Sequence, residues 1–116
     1  MHEVSIAAAI ARTVAEAVDG ARVESVEVVV GALSGVVGSA LEFAWDVVTA
    51  DTPLTGSTLV VVQVEATVFC PTCQCVAAPE LGLLCPDCGE LCGDLRSGRE
   101  LEIRSARLRE AAVSDA

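Results

Sequence analysis

Lysine and tyrosine are absent from this 116-residue chain, histidine occurs once and aromatic residues make up only 3%. All seven basic residues are arginine, set against seventeen acids for a net charge of −10. Binding along a phosphate backbone needs concentrated positive charge, so this balance argues against nucleic acid as a partner. Charges or glycines interrupt every apolar run before it reaches bilayer length, which argues against a membrane span. The start, Met1-His2-Glu3-Val4, lacks a basic stretch ahead of an apolar core, so a secretory signal is not expected. With one histidine, at position 2, no Ser/His/Asp arrangement is available elsewhere, and no phosphate-cradling glycine loop appears. Enzyme readings, a thiol oxidoreductase or a metal hydrolase, are therefore disfavoured.

What is present is apolar and patterned: 53% of residues are hydrophobic, too many for a disordered chain. The length predicts one domain with room for a small inserted module. Residues 4–19 read as a helix, with Ile6, Ile10, Val14 and Val18 recurring every fourth position and Ala7, Ala11 and Ala17 on or beside the stripe. Residues 23–30 switch to a period of two, placing Val26, Val28 and Val30 on one face and Ser25 and Glu27 on the other. Gly31-Ala32-Leu33-Ser34-Gly35 follows as a glycine-bounded turn. Ser39 and Glu42 have capping-box spacing for a second helix, whose buried stripe is Leu41, Ala44, Trp45 and Val48. Residues 58–69 predict a strand with Val60, Val62, Val64, Ala66 and Val68 on one side, and residues 99–109 a final strand. These elements predict an α+β fold: a small, mainly antiparallel three-stranded sheet with two helices, plus an inserted zinc-ribbon module. The expected division is 1–69 with 95–116, and 70–94.

The module carries the strongest motif. Cys70-Pro71-Thr72-Cys73 and Cys85-Pro86-Asp87-Cys88-Gly89 are separated by eleven residues. Each C-x2-C turn sets two thiolates on one side of a knuckle, and two facing knuckles complete a tetrahedron around Zn²⁺. Proline fixes φ after each first cysteine, and Gly89 lets the backbone turn away. Iron competes for the same sulfur set, since ligand identity alone does not separate them. Four protein ligands close the site, so its expected role is structural. Cys75 and Cys92 read as small semi-buried side chains outside the metal set. Thiols paired this way, with no export signal, point to a reducing compartment, the cytoplasm. A nucleic-acid-binding or protein-interaction ribbon is the alternative reading. Residues 70–94 contain Glu80, Asp87, Glu90 and Asp94 but no arginine or aromatic to support the former.

With Met1 as the first residue, its amine, the His2 amide nitrogen once deprotonated and the His2 imidazole can chelate one ion in fused rings. The Glu3 amide or an outside group can complete a plane. Square-planar nitrogen ligation suits Ni(II) or Cu(II) better than Zn²⁺ or Mg²⁺. Protons compete for those nitrogens, so such a site hands its ion on readily.

Taken together, Met1-His2-Glu3 before a helix, Gly31-Ala32-Leu33-Ser34-Gly35, the paired cysteine motifs and Ser97-Gly98-Arg99-Glu100-Leu101 resemble the HypA/HybF family of nickel metallochaperones. The resemblance covers nearly the whole chain. It implies a Ni²⁺-binding α/β domain with an inserted zinc ribbon, delivering nickel during [NiFe] hydrogenase assembly, in some organisms also to urease. It implies as partners a HypB-type GTPase and the hydrogenase large-subunit precursor, with the protein acting as a monomer or homodimer. By position, His2 is the family's nickel ligand, Met1 and Glu3 contribute through backbone nitrogens or nearby, and Cys70, Cys73, Cys85 and Cys88 are the zinc ligands. The chain departs from the family where Ala32 replaces an acidic residue, and where Val37 and Gly38 stand in the region of another carboxylate.

Overall fold

The computed structural model describes residues 2–109. In chain order the elements are α1 (Glu3–Val18), β1 (Val23–Gly31), α2 (Gly38–Thr49), β2 (Thr58–Val64), β3 (Thr67–Cys70), β4 (Cys75–Ala77), β5 (Asp94–Ser97) and β6 (Leu101–Leu108). They form two three-stranded sheets, ordered β2-β1-β6 and β4-β3-β5. The chain divides into two compact units, one holding 2–28, 37–62 and 102–109 of the described residues, the other 29–36 and 63–101.

In the first unit, α1 buries Ala7, Ile10, Ala11 and Val14, the predicted stripe with its small residues turned inward; Ala17, by contrast, is exposed. Asp19 closes the helix in the left-handed conformation, its amide bonded to the Ala15 carbonyl, and Gly20 follows it with φ of +86°. Val23 and Val26 on β1, Leu41 and Trp45 on α2, and Leu54 and Leu59 make the core. Burying side chains of this kind stabilises by about 1.5–3 kcal/mol each before conformational entropy is set against it. The Trp45 indole N–H donates to the Ser57 hydroxyl at 2.9 Å inside that core. On β2 the side turned inward is that of Leu59, while Val60 is exposed.

The predicted capping box is not made. Helix α2 starts with Val37 as its N-cap, and no side chain of that cap residue closes it. Instead the Glu3 carboxylate accepts a hydrogen bond from the Val37 amide at 3.2 Å. A carboxylate there also offsets the positive end of the helix dipole, which the box would otherwise have done.

The single strand expected over 58–69 is two. The chain breaks at Glu65-Ala66, and its second half, β3, enters the other sheet. The return is broken to match, at Gly98 between β5 and β6, and β5 was not expected as a strand: its Asp94 ends the expected module and 95–97 precede the strand expected from 99. Side chains stitch these breaks: the Ser97 hydroxyl donates to the Glu65 carbonyl at 2.8 Å and lies 2.6 Å from the Thr67 hydroxyl. Gly98 has φ of +122°, and a side chain there would meet the Ala66 Cα at 2.8 Å. Alternation continues straight through Glu65-Ala66, so periodicity alone could not reveal that break.

Candidate metal centres

The first cysteine knuckle is the turn joining β3 to β4, strands that run antiparallel with Cys70 opposite Cys75. The Gln74 amide returns to the Cys70 carbonyl at 2.7 Å, and the Cys73 amide donates to the Cys70 sulfur at 3.5 Å. The second knuckle, 85–88, sits on a short irregular hairpin. That hairpin is held by the Cys85 amide on the Glu90 carbonyl and the Cys92 amide on the Leu83 carbonyl, both at 2.9 Å. Here the Gly89 amide returns to the Cys85 carbonyl at 2.8 Å. The two knuckles therefore repeat one another, since Gln74 and Gly89 both have positive φ, 55° and 78°. Sequence reasoning found Gly89 and missed Gln74; the matching order C-P-x-C-Q and C-P-x-C-G was the available signal. The Thr72 hydroxyl donates to the Glu90 carboxylate, tying one knuckle to the other.

The four predicted ligands come together. The sulfur of Cys70 lies 3.6 Å from that of Cys88, Cys73 lies 4.0 Å from Cys85, and all four sulfurs fall within 4.8 Å of one another. Tetrahedral Zn²⁺ with bonds of about 2.3 Å sets its sulfurs about 3.8 Å apart, so the cluster fits the ion with little adjustment. Its electrostatics point the same way. The Cys73 amide holds the Cys70 thiol down at about 7, while interaction with Cys88, and then burial, push the Cys73 thiol up. Four adjacent sulfurs cannot all ionise against their mutual repulsion, and a divalent cation among them removes that obstacle.

Cys92 and Cys75 stay outside this set among the described residues. Cys92 is buried in a small core with Val68, Cys70 and Cys85, and burial pushes its thiol up to about 11. Cys75 is exposed rather than semi-buried. The sheet carrying the knuckles does hold one arginine and one aromatic, but each is engaged within it: Arg96 lies 4.7 Å over the Phe69 ring and pairs with Asp94 at 2.9 Å.

The amino-terminal residues present a different arrangement. His2 is the N-cap of α1, exposed, with its carbonyl accepting from the Ile6 amide at 2.8 Å. That is the first rung of the helix ladder. The amide nitrogens of His2 and Glu3 precede it, as the first amides of any helix do, and losing their protons breaks no helical hydrogen bond. The Glu3 carboxyl is held near 2, first by the chain's amino-terminal charge and then by the Val37 amide. Its side chain thus reaches the start of α2, while its backbone nitrogen lies ahead of the helix ladder. Met1, also expected at this site, lies outside the described residues. Ala32 is exposed and spends its amide on the Val64 carbonyl at 2.9 Å.

Three comparisons bear on these sites. Residues 1–108 match a family described as hydrogenase/urease nickel incorporation, metallochaperone, hypA. A hydrogenase maturation factor HypA of Chloroflexus aggregans is 43% identical over 108 residues, covering 89% of this chain and 95% of that protein. A guanidine hydrolase-activating protein A of Synechocystis is 36% identical over 109 residues, covering 89% and 91%. Among solved structures, the nickel metallochaperone HypA of Helicobacter pylori covers 93% of this chain and 97% of its own at 22% identity, with a TM-score of 0.59. That last likeness establishes the fold.

Proposed function

The chain belongs to the HypA family of nickel-incorporation metallochaperones, and on that premise we propose that it carries Ni(II) at its amino terminus and surrenders it to a maturing [NiFe] hydrogenase. The donors are the Met1 amine, the His2 amide nitrogen and imidazole, and the Glu3 amide. The observation that carries this reading is the placement of His2 at the exposed N-cap of α1, with the helix ladder beginning only at Ile6. The imidazole and the amides of His2 and Glu3, both ahead of the helix ladder, are thereby consecutive on one end of a rigid element.

The same placement explains why the ion is released. The positive end of α1 disfavours a dication, and the start of α2 joins it through Glu3 and Val37. Deprotonated amides supply the compensating charge, and any proton that returns to them weakens the grip. Residues 1–69 with 95–116 form the nickel-handling part and 70–94 the ribbon. Cys70, Cys73, Cys85 and Cys88 would hold Zn²⁺, which supplies folding energy rather than catalysis. The protein transfers an ion and transforms no substrate, working in the cytoplasm with a HypB-type GTPase and the hydrogenase large-subunit precursor. Urease stands within the same family description.

Titration of the untagged chain with Ni(II), followed by the visible and circular-dichroism bands of a planar low-spin complex, tests this. His2→Ala and an amino-terminal extension should each abolish those bands while leaving zinc content unchanged. Equal nickel binding by the extended and native chains would overturn it.

A further inference from the structure

Helix α2 turns one face outward with nothing over it among the described residues. Phe43 is 86% exposed and Val47 73% exposed, and their i, i+4 spacing makes them one ridge. Single exposed apolar residues are ordinary; a large aromatic left open to this degree beside a second apolar side chain is less so. Next around the helix come Glu42 and Asp46, again four residues apart. Both are exposed, and neither has a hydrogen-bond or ion-pair partner among the described residues. They form one wall of a groove of about 380 Å³, completed by Trp45, Ser57, Thr58 and Leu59. That is within the size range of ligand pockets, toward its lower end. Ser57 is only 4% exposed, and its hydroxyl accepts the Trp45 N–H while its own proton has no acceptor among the described residues.

These features are complementary to one kind of guest. A long cationic side chain reaching between Glu42 and Asp46 would bring its methylene stem onto Trp45 and Leu59 and its charge to two unpaired carboxylates. A carbonyl beside it would meet the free Ser57 proton. An apolar residue one helical turn away on the guest would cover Phe43 and Val47. An acidic or neutral segment would leave both carboxylates uncompensated, and the net charge of −10 would repel the former at a distance. We propose that the Glu42/Asp46 groove and the Phe43–Val47 ridge form a docking surface for a basic amphipathic segment of a partner protein, an arginine or lysine entering the groove. The surface is independent of the nickel reading, so either can fail without the other.

Trp45, the sole tryptophan, reports occupancy of the groove. The zinc-loaded full chain would be titrated with three synthetic helical peptides: Leu/Arg amphipathic, Leu/Glu amphipathic, and an Arg-rich peptide without leucine. Saturable binding of the Leu/Arg peptide with a change in Trp45 emission is expected, along with at least about tenfold weaker binding of the other two. Glu42→Lys with Asp46→Lys, and separately Phe43→Ser, should each weaken the Leu/Arg peptide by about tenfold or more. Glu16→Lys with Glu24→Lys makes the same change in net charge at exposed sites elsewhere and should alter affinity less than about threefold. No change in Trp45 emission, or equal losses in the two double variants, would overturn the proposal, the latter by showing attraction to net charge alone.

Discussion

The Glu3 carboxylate and the Val37 amide, thirty-four residues apart, are joined by a hydrogen bond of 3.2 Å that links the first turn of α1 to the start of α2. This contact decides between two roles for Glu3. In the proposed nickel site the side chain bonded to Val37 is not a donor, and the Glu3 amide, ahead of the helix ladder, takes that role. It also bears on Val37 itself, where the family resemblance implies a carboxylate in the region: the charge is brought to the start of α2 from α1 instead.

Glu3→Gln is accordingly expected to leave the planar nickel bands intact, with affinity changed by less than about threefold, since no ligand is removed. The link should also respond to pH in a definite direction. The folded-state carboxyl, near 2, lies below the ordinary 4.5, so its contribution is complete above 4.5 and fades as pH falls from there toward 2. The amide resonance of Val37 should therefore stay flat from pH 7 to 4 and move only below that, and Glu3→Gln should remove the movement. A midpoint near 4.5 would show that the contact does not form in solution.

The buried pair Trp45–Ser57 offers a test of the core. Ser57→Ala leaves the indole N–H without its acceptor at a site 1% exposed, while removing almost no volume. An orphaned buried donor costs about 1–3 kcal/mol, so a urea midpoint lowered to match is expected. Val47→Ala, on the exposed side of the same helix, should move it by less than about 0.5 kcal/mol. Equal effects would mean that the indole finds water in place of the hydroxyl.

How much of this was readable from sequence follows the range of each interaction. Both helices, β1 and β6 were found because their periodicity is local, and the four clustered cysteines because their spacing is. The break of 58–69 into β2 and β3 was not, because alternation runs unbroken through Glu65 and Ala66 and the cause lies at Gly98 and Ser97, some thirty residues away. The start of α2 was misread for the same reason. Ser39 and Glu42 satisfy the local rule, but a carboxylate from another helix takes the role. Gln74 escaped because a non-glycine residue at positive φ carries no compositional mark, although its counterpart Gly89 did.

Gly31 should be the least replaceable of the glycines. Its amide donates to the Glu100 carbonyl at 2.7 Å, and a Cβ there would collide with the Gly98 carbonyl group and come within 2.6 Å of the Glu100 nitrogen. These are backbone atoms that no rotamer change can move aside. Gly31→Ala is expected to destabilise by more than about 2 kcal/mol, while Ala32→Ser, on the exposed neighbour, should cost less than about 0.5 kcal/mol. Comparable urea midpoints for the two variants would mean that the strand can shift away from residues 98–100.

Metal content separates the six cysteines by position. Replacing Cys70, Cys73, Cys85 or Cys88 with serine should each lose stoichiometric zinc, because three sulfurs cannot close a tetrahedral site. Cys75→Ser, at an exposed position, should keep both zinc and stability. Cys92→Ser should keep zinc but soften the ribbon, since a hydroxyl would be buried beside Val68 and Cys85 where a weakly polar thiol now packs. Retention should fall as pH falls: each sulfur must lose a proton to ligate, and Cys70, held down at about 7 by the Cys73 amide, is the readiest of them. On acidification or chelation, amide resonances of residues 70–92 should collapse before those of α1 and α2, because the ribbon has only its small cysteine-rich core to fall back on. Loss of zinc from Cys92→Ser with retention in Cys88→Ser would reassign the fourth ligand and overturn the tetrahedron described above.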